Sequence, residues 1–253
     1  MIEFLPVLVL VLTFVVLLII GVPVAWCIAI SSMFTLMLAM PVSAATTTVS
    51  QRIATGLDSF ALLAIPFFIL SGQIMSKGGI ANRLISFAKT LVGFLPGGLA
   101  LINIVSAMLM GAIAGSAMAS ASAMGTILGP EMEKEGYSKE FGAAVNITSS
   151  TTGLVIPPSN TLIVYSLASG GVSIAALFLA GYIPGILTGL LMMIVAMIWA
   201  KKNNYPVGKR SSLKEVFVKF IDAFPSLLLL VIVIGGIIGG IFTATEASAV
   251  AVL

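Results

Sequence analysis

An all-α, polytopic membrane fold follows from three features of the sequence. Hydrophobic residues make up 59% of its 253 and charged residues only 8%, against about a quarter in a soluble domain. The apolar runs have lengths suited to a bilayer. One of those runs is broken by a double proline, Pro157-Pro158, where a spanning helix should be continuous.

Composition also narrows the chemistry. Cys27 is the single cysteine and there is no histidine, so neither an internal disulfide nor a Cys/His metal cluster is available. The net charge of +3 reads as basic loops gathered on one side of a membrane rather than as an acidic partner. Met1 to Phe4 lacks the positive stretch of a signal peptide, so the first apolar run is expected to be a retained helix.

In chain order, Phe4 to Ile20 and Val24 to Met40 are predicted spans separated by a tight turn at Gly21-Val22-Pro23. Pro41 to Asp58 is polar and Thr-rich, and is expected outside the bilayer as a loop with a short interfacial helix. Phe60 to Met75 reads as a third span. Ser76 to Pro96 alternates Lys77, Arg83 and Lys89 with apolar residues, a pattern that suits either the membrane surface or a surface helix packed on a partner.

Pro96-Gly97-Gly98 opens the next unit and Gly129-Pro130 is expected to close it. Its two apolar arms, Leu99 to Met110 and Ala117 to Leu128, have about 12 residues each, roughly 18 Å against a hydrocarbon core of about 30 Å. Too short to span, they predict a re-entrant hairpin whose tip is the small-residue stretch Gly111 to Ser116. The second arm is rich in Ala, Ser and Gly, which permits close helix contact.

Glu131 to Glu140 holds the mid-chain charges and reads as a solvated loop. Phe141 to Gly153 resumes a helix that turns polar through Ser149, Ser150, Thr151 and Thr152. Pro157 and Pro158 lack N–H donors and free the carbonyls of Gly153 and Leu154, so the helix must break there. Such a break survives in hydrocarbon only inside protein or along a polar cavity. Beyond it, Thr161 to Ala168 continues outward, Ile174 to Ala200 is a long span, and a last span is predicted from Phe224 to Phe242.

Lys201 to Lys219 carries six of the twelve basic residues, which places this loop in the cytoplasm. Counting spans backward puts Lys77, Arg83, Lys89, Lys134 and Lys139 on the same side and leaves Arg52 and the N-terminus outside. No carboxylate, lysine or histidine falls on the hairpin arms or the broken helix away from the Glu131 to Glu140 loop. A proton relay through an intramembrane acid and the known intramembrane protease chemistries therefore lack their groups there. What remains are backbone carbonyls, hydroxyls and half-helix N-termini: carbonyls suit a hard cation such as Na⁺, and helix N-termini suit an anion. Ser116, Ser149, Ser150, Thr151, Thr152, Ser159 and Asn160 are the candidate lining of a substrate cavity. A passive ion channel and a non-transporting membrane scaffold are the alternatives.

Several spaced motifs carry a family resemblance: Gly115-Ser116, Gly136-Tyr137 to Phe141, Gly153 with Ile156-Pro157-Pro158-Ser159, Tyr165, Ser173-Ile174, Leu177-Phe178 with Ala180-Gly181, and Pro184-Gly185. Together they resemble the large membrane subunit of tripartite ATP-independent periplasmic (TRAP) transporters, the DctM/SiaM type. Gly239 to Ala247 is similar to that family's GGIFTPTEA signature, with Ala244 in place of its proline. The resemblance implies a sodium-driven elevator transporter of the bacterial inner membrane. It would work with a small membrane subunit of DctQ/SiaQ type and a periplasmic binding protein of DctP/SiaP type that delivers a carboxylate such as a C4-dicarboxylate or sialic acid. It also implies a Na⁺ site built from main-chain carbonyls at Gly111, Ala114, Gly153, Ile156 and Pro158.

On this reading residues 1–97 are scaffold helices and an amphipathic arm, 98–168 the transport hairpin and broken helix, and 169–253 spanning helices, a basic loop and the start of the next unit. Family members continue into a second, inverted repeat. Half of the substrate cavity and a second sodium site are therefore expected in sequence beyond Leu253, and this polypeptide alone is expected not to transport.

Overall fold

The structure, a computed structural model, describes residues 4–253; the expectation placed on Met1 to Glu3 lies outside them. Every described element is helical, with a single isolated bridge pairing Pro96 with Val207. The contacts divide the chain into two compact units, one ending at Ser59 and the other Phe60–Leu253.

The first unit holds α1 (Phe4–Ile19), α2 (Val24–Met37) and α3 (Val42–Leu57). Gly21, at φ +86°, makes the predicted turn between α1 and α2. α1 is apolar all round and buries none of its residues in this unit. The third helix is a correction, because Pro41 to Asp58 was expected to be mostly loop and is helical over 16 residues. Its polar side chains satisfy the helix's own backbone: the Thr46, Thr47 and Thr55 hydroxyls donate to the carbonyls of Val42, Ser43 and Gln51, one turn back. A threonine run therefore does not have to leave the helix to find partners.

In the second unit a 3₁₀ turn (Phe60–Leu63) leads into α4 (Ala64–Lys77), then α5 (Ile80–Val92) and α6 (Gly98–Ala114). α6 is the centre of the unit: fourteen of its 17 residues are buried, as expected of a helix apolar on every face. Around it pack α5, α7 (Ala117–Lys134), α8 (Lys139–Ser150) and α10 (Ile174–Lys202). α5 settles one of the open readings. Its Ala81, Leu84, Ile85 and Ala88 stripe is buried against α6 and α11 (Leu213–Ile238), so its apolar face is already occupied by protein. Burying Leu84 and Ile85 contributes roughly 1.5–3 kcal/mol each relative to water.

Among the described residues α10 and α11 are the two single helices long and apolar enough to cross a membrane, at about 1.5 Å per residue roughly 43 and 39 Å. α11 starts eleven residues earlier than predicted, inside the basic stretch read as loop. Ser212 caps it by accepting from the N–H of Glu215 at 3.2 Å, and Lys214 and Lys219 ride on its first turns. Only 203–212 connects the two helices.

The last helix, α12 (Ala244–Val252), begins with a capping box: the Thr243 hydroxyl accepts from the Glu246 N–H, and the Glu246 carboxylate accepts from Thr243 N–H at 2.8 Å. α12 is tied to the start of the unit by Ser71 Oγ donating to the Ala251 carbonyl at 2.7 Å and Thr245 Oγ1 to that of Phe60 at 2.9 Å. At the other end, Tyr137, Phe141 and Tyr205 form an aromatic cluster, with Tyr137 and Tyr205 centroids 4.4 Å apart. Burial pushes the Tyr137 hydroxyl up to about 12.

Candidate functional site

The hairpin is present, with arms longer than expected: 17 residues in α6 and 18 in α7, about 26 and 27 Å. Gly129-Pro130 does not close it. Pro130 removes one rung, the bond to the Thr126 carbonyl, and the turn beyond it is held by Glu135 N–H to Glu131 O and Tyr137 N–H to Met132 O, both 3.0 Å. The charged cluster read as a loop is therefore mostly helix ends, joined through residues 135–138.

At the tip, Gly115 ends α6 at φ +59° and its N–H donates to the Gly111 carbonyl at 2.8 Å. Ser116 is then extended, at φ −143° and ψ 122°, and its Oγ accepts from Ala119 N–H to cap α7. The helix break follows the same plan. α8 passes into a 3₁₀ turn (Thr151–Leu154), 155–158 is irregular, and Ser159, at φ −129° and ψ 124°, accepts from Leu162 N–H to cap α9 (Asn160–Ala168). Two serine-capped helix starts result, each presenting the positive end of its helix.

The fold brings tip and break together. A Cβ built on Gly111 would lie 2.5 Å from the Gly153 Cα, and one on Gly115 would lie 3.0 Å from the Pro158 carbonyl oxygen. The Asn160 N–H donates to the Gly115 carbonyl at 3.3 Å. Three further glycines hold this crossing from behind. Gly72 of α4 meets Ala114, and Gly181 and Gly185 of α10 meet the Val155 carbonyl and Ile156, all at distances too short for a side chain.

The backbone account at the crossing is specific. Of the two carbonyls the prolines free, that of Leu154 is retaken by the Ser159 hydroxyl at 2.6 Å. The Gly111 carbonyl is held by Gly115. Those of Ala114, Gly153, Ile156 and Pro158 accept no hydrogen bond from the described residues. The side chains divide as well. Ser149, 0% exposed, donates to Asn103 Oδ1 at 3.1 Å. Ser150, Thr151 and Thr152 donate to carbonyls a turn back, at Asn146, Thr148 and Ser149. These four hydroxyls serve their own helix and its packing on α6, and Thr151 is exposed. Asn160 differs: its Oδ1 is buried with no partner.

Three residue sets take roles at the site that the sequence reading did not assign. Asn103, 1% exposed in the middle of α6, joins the hairpin to α8 through Ser149. Ser120 Oγ bridges the hairpin arms by donating to the Ala107 carbonyl at 3.1 Å, and Asn146 Nδ2 donates to that of Ala121 at 2.9 Å. Gly181, Gly185 and Gly189 form the face of α10 against the break and α6. Their four-residue spacing was a readable signal of close helix contact, as was a lone asparagine in an apolar arm.

Unpaired main-chain carbonyls and helix N-termini, set where a hairpin tip meets a proline-broken helix, make an arrangement used by membrane transport proteins. The chain belongs to the tripartite ATP-independent periplasmic transporter family, DctM component, whose sequence profile matches residues 11–253. It is 56% identical over 248 residues to an uncharacterized Salmonella typhimurium protein, YgiK, covering 98% of this chain and 57% of that one. It is 43% identical to the C4-dicarboxylate TRAP transporter large permease protein DctM of Vibrio cholerae, over 92% of this chain and 51% of the relative. With the sialic acid TRAP transporter large permease protein SiaM of the same organism it shares 40% identity, over 81% and 48%. The chain spans about half the length of the curated relatives it matches.

Proposed function

We propose that this chain is the first half of the large permease of a Na⁺-coupled TRAP transporter in a bacterial inner membrane. The complete permease imports a small carboxylate, of the C4-dicarboxylate or sialic acid kind named for its relatives. It acts with a small membrane subunit of DctQ/SiaQ type and a periplasmic binding protein of DctP/SiaP type. The observation that carries this reading is the crossing of Gly111 and Gly153, with unpaired carbonyls at Ala114, Gly153, Ile156 and Pro158 beside it.

Carbonyl oxygens of this kind replace part of the hydration shell of a hard monovalent cation, and Na⁺ bound there supplies the coupling charge. The Gly111 carbonyl, already used by Gly115, has one lone pair left and is the weakest of the five expected ligands. The side-chain amide N–H of Asn160 and the serine-capped N-termini of α7 and α9 are the groups this reading assigns to the substrate. They offer N–H groups and positive helix ends to a carboxylate. The re-entrant character of the hairpin rests on the seating of its tip against the break, because its arms are close to the thickness of a bilayer core. Carriage of this unit across the membrane as a rigid body, the elevator movement, is part of the same reading.

Uptake of labelled C4-dicarboxylate or sialic acid into proteoliposomes containing the complete permease, small subunit and binding protein tests it. Uptake is expected only with an inward Na⁺ gradient and the cognate binding protein. Full-rate uptake without Na⁺ would overturn the coupling.

A further inference from the structure

A crevice of about 220 Å³ opens between α7 and α8 at the end of the hairpin away from its tip. Glu133, Ser138 and Lys139 border it where α7 gives way to α8, and the exposed Lys139 pairs with Glu133 there at 3.4 Å. Farther in, it is lined by Asn103 of α6 and Asn146 of α8. The gap exists because its walls are small: Gly125 and Gly129 of α7 on one side, Gly142 and Ala143 of α8 on the other. A Cβ on Gly129 would meet nothing within 4 Å, and one on Gly142 would meet only Met132, at 3.8 Å.

An apolar gap of this size stays dry, but the lining here is not apolar. Asn103 is 1% exposed; its Oδ1 accepts from Ser149, while its Nδ2 has no partner among the described residues. Asn146 Nδ2 donates to the Ala121 carbonyl, which fixes the amide and leaves a buried Oδ1 without a partner. One donor and one acceptor are thus left over on two amides lining the same gap. Buried polar atoms in native proteins are paired, by protein or by ordered water, and the crevice has room for several waters at about 30 Å³ each.

We propose that water fills this crevice from the cytoplasm, hydrogen-bonded at its inner end to the Asn103 and Asn146 amides, so that a hydrated wedge separates the outer half of α7 from α8. The cytoplasmic side is taken from the reading that places Lys134 and Lys139 there; the proposal is independent of the coupling ion and of the substrate. It changes the effective length of the hairpin arm. On α7 the crevice reaches Gly125, so that only Ala117 to Met124, roughly 12 Å at 1.5 Å per residue, stands between cytoplasmic water and the tip.

Thiol accessibility in the complete permease tests the wedge. With Cys27 and any cysteine beyond Leu253 replaced by serine, Gly129→Cys and Gly142→Cys are treated in inside-out vesicles with a membrane-impermeant, charged methanethiosulfonate, which reacts with a hydrated thiolate. Both are expected to react severalfold faster than Ala144→Cys, which lies on the other side of α8 in an apolar groove with Leu191, Val195 and Trp199 of α10. The same proteins denatured in SDS, where every thiol is expected to react, give the reference for each rate. Gly129→Leu, for which there is room, is expected to fill the crevice and slow the reaction of Gly142→Cys. In the unaltered permease, a high-resolution cryo-electron microscopy map is expected to show ordered water beside Asn103. Reaction of the two glycine positions no faster than Ala144→Cys, reaction only from the periplasmic side, an unchanged rate beside Gly129→Leu, or a dry crevice in the map would each overturn the proposal.

Discussion

Gly111 of the hairpin and Gly153 of the broken helix touch backbone to backbone, and neither has room for a single methyl group. The contact joins residues 42 positions apart in sequence and fixes the relation of the two short elements that form the candidate site.

Introducing that methyl group is expected to force the tip away from the break. Gly111→Ala and Gly153→Ala should each cost about 1–3 kcal/mol by overpacking, read as a lower melting temperature of the complete permease. Na⁺-driven uptake is expected to fall in both. Wild-type stability and uptake in either variant would mean that the two backbones do not meet.

Ser116 and Ser159 offer a matched pair of cap deletions. Each alanine variant loses an N-cap acceptor, typically 0.5–2 kcal/mol. Ser159→Ala should be the more costly, because the same hydroxyl donates to the Leu154 carbonyl at 2.6 Å. Thermal unfolding of the two variants side by side checks the order, and equal losses would count against the second role of Ser159.

Asn160 separates function from folding. Its Oδ1 has no partner, so Asn160→Ala should change stability by no more than about 1 kcal/mol. Transport is expected to suffer more, as a higher apparent KM for the carboxylate in proteoliposomes. Unaltered uptake kinetics would remove Asn160 from the substrate side.

Ala244 stands at the first position of α12, directly after the Thr243 cap. Proline is tolerated there because the N–H it lacks has no helical partner, and Thr243, at φ −72° and ψ 163°, already has the extended geometry proline demands of its predecessor. Ala244→Pro is expected to be neutral or to stabilise by about 0.4–1 kcal/mol through the unfolded state, read as a melting-temperature shift. A loss of stability would show that buried Ala244 has no room for the ring.

Much of this was legible because proline and glycine act through hard sterics. The break at Pro157-Pro158 and the tip at Gly115-Ser116 fall where the sequence places them. The turns at Gly21 and at Gly170-Gly171, both with positive φ at the glycines, also follow from local chemistry. The misses all concern where a helix ends or begins. Pro130 interrupts one rung and not the helix, the threonines of α3 hydrogen-bond backward instead of leaving it, and Ser212 starts α11 within a basic stretch that resembles a loop. The roles of Ser149, Ser150 and Thr152 were not readable, because a hydroxyl that donates to its own helix looks the same in sequence as one offered to a ligand. The packing of Gly181 and Gly185 on the break was encoded in their spacing but needed the fold to say which helix they would meet.

The serine caps have a mechanical meaning. Because α7 and α9 each begin with their own cap, both walls of the crossing are complete as local structures before they meet. Among the described residues a single hydrogen bond, Asn160 N–H to the Gly115 carbonyl at 3.3 Å, links residues 111–116 to residues 151–160. That bond contributes a net of about 0.5–1.5 kcal/mol, and the rest of the junction is packing at the glycines and the bonds of Ser149 and Asn146 to the hairpin arms. Each helix start therefore keeps its own cap whether or not the two walls meet.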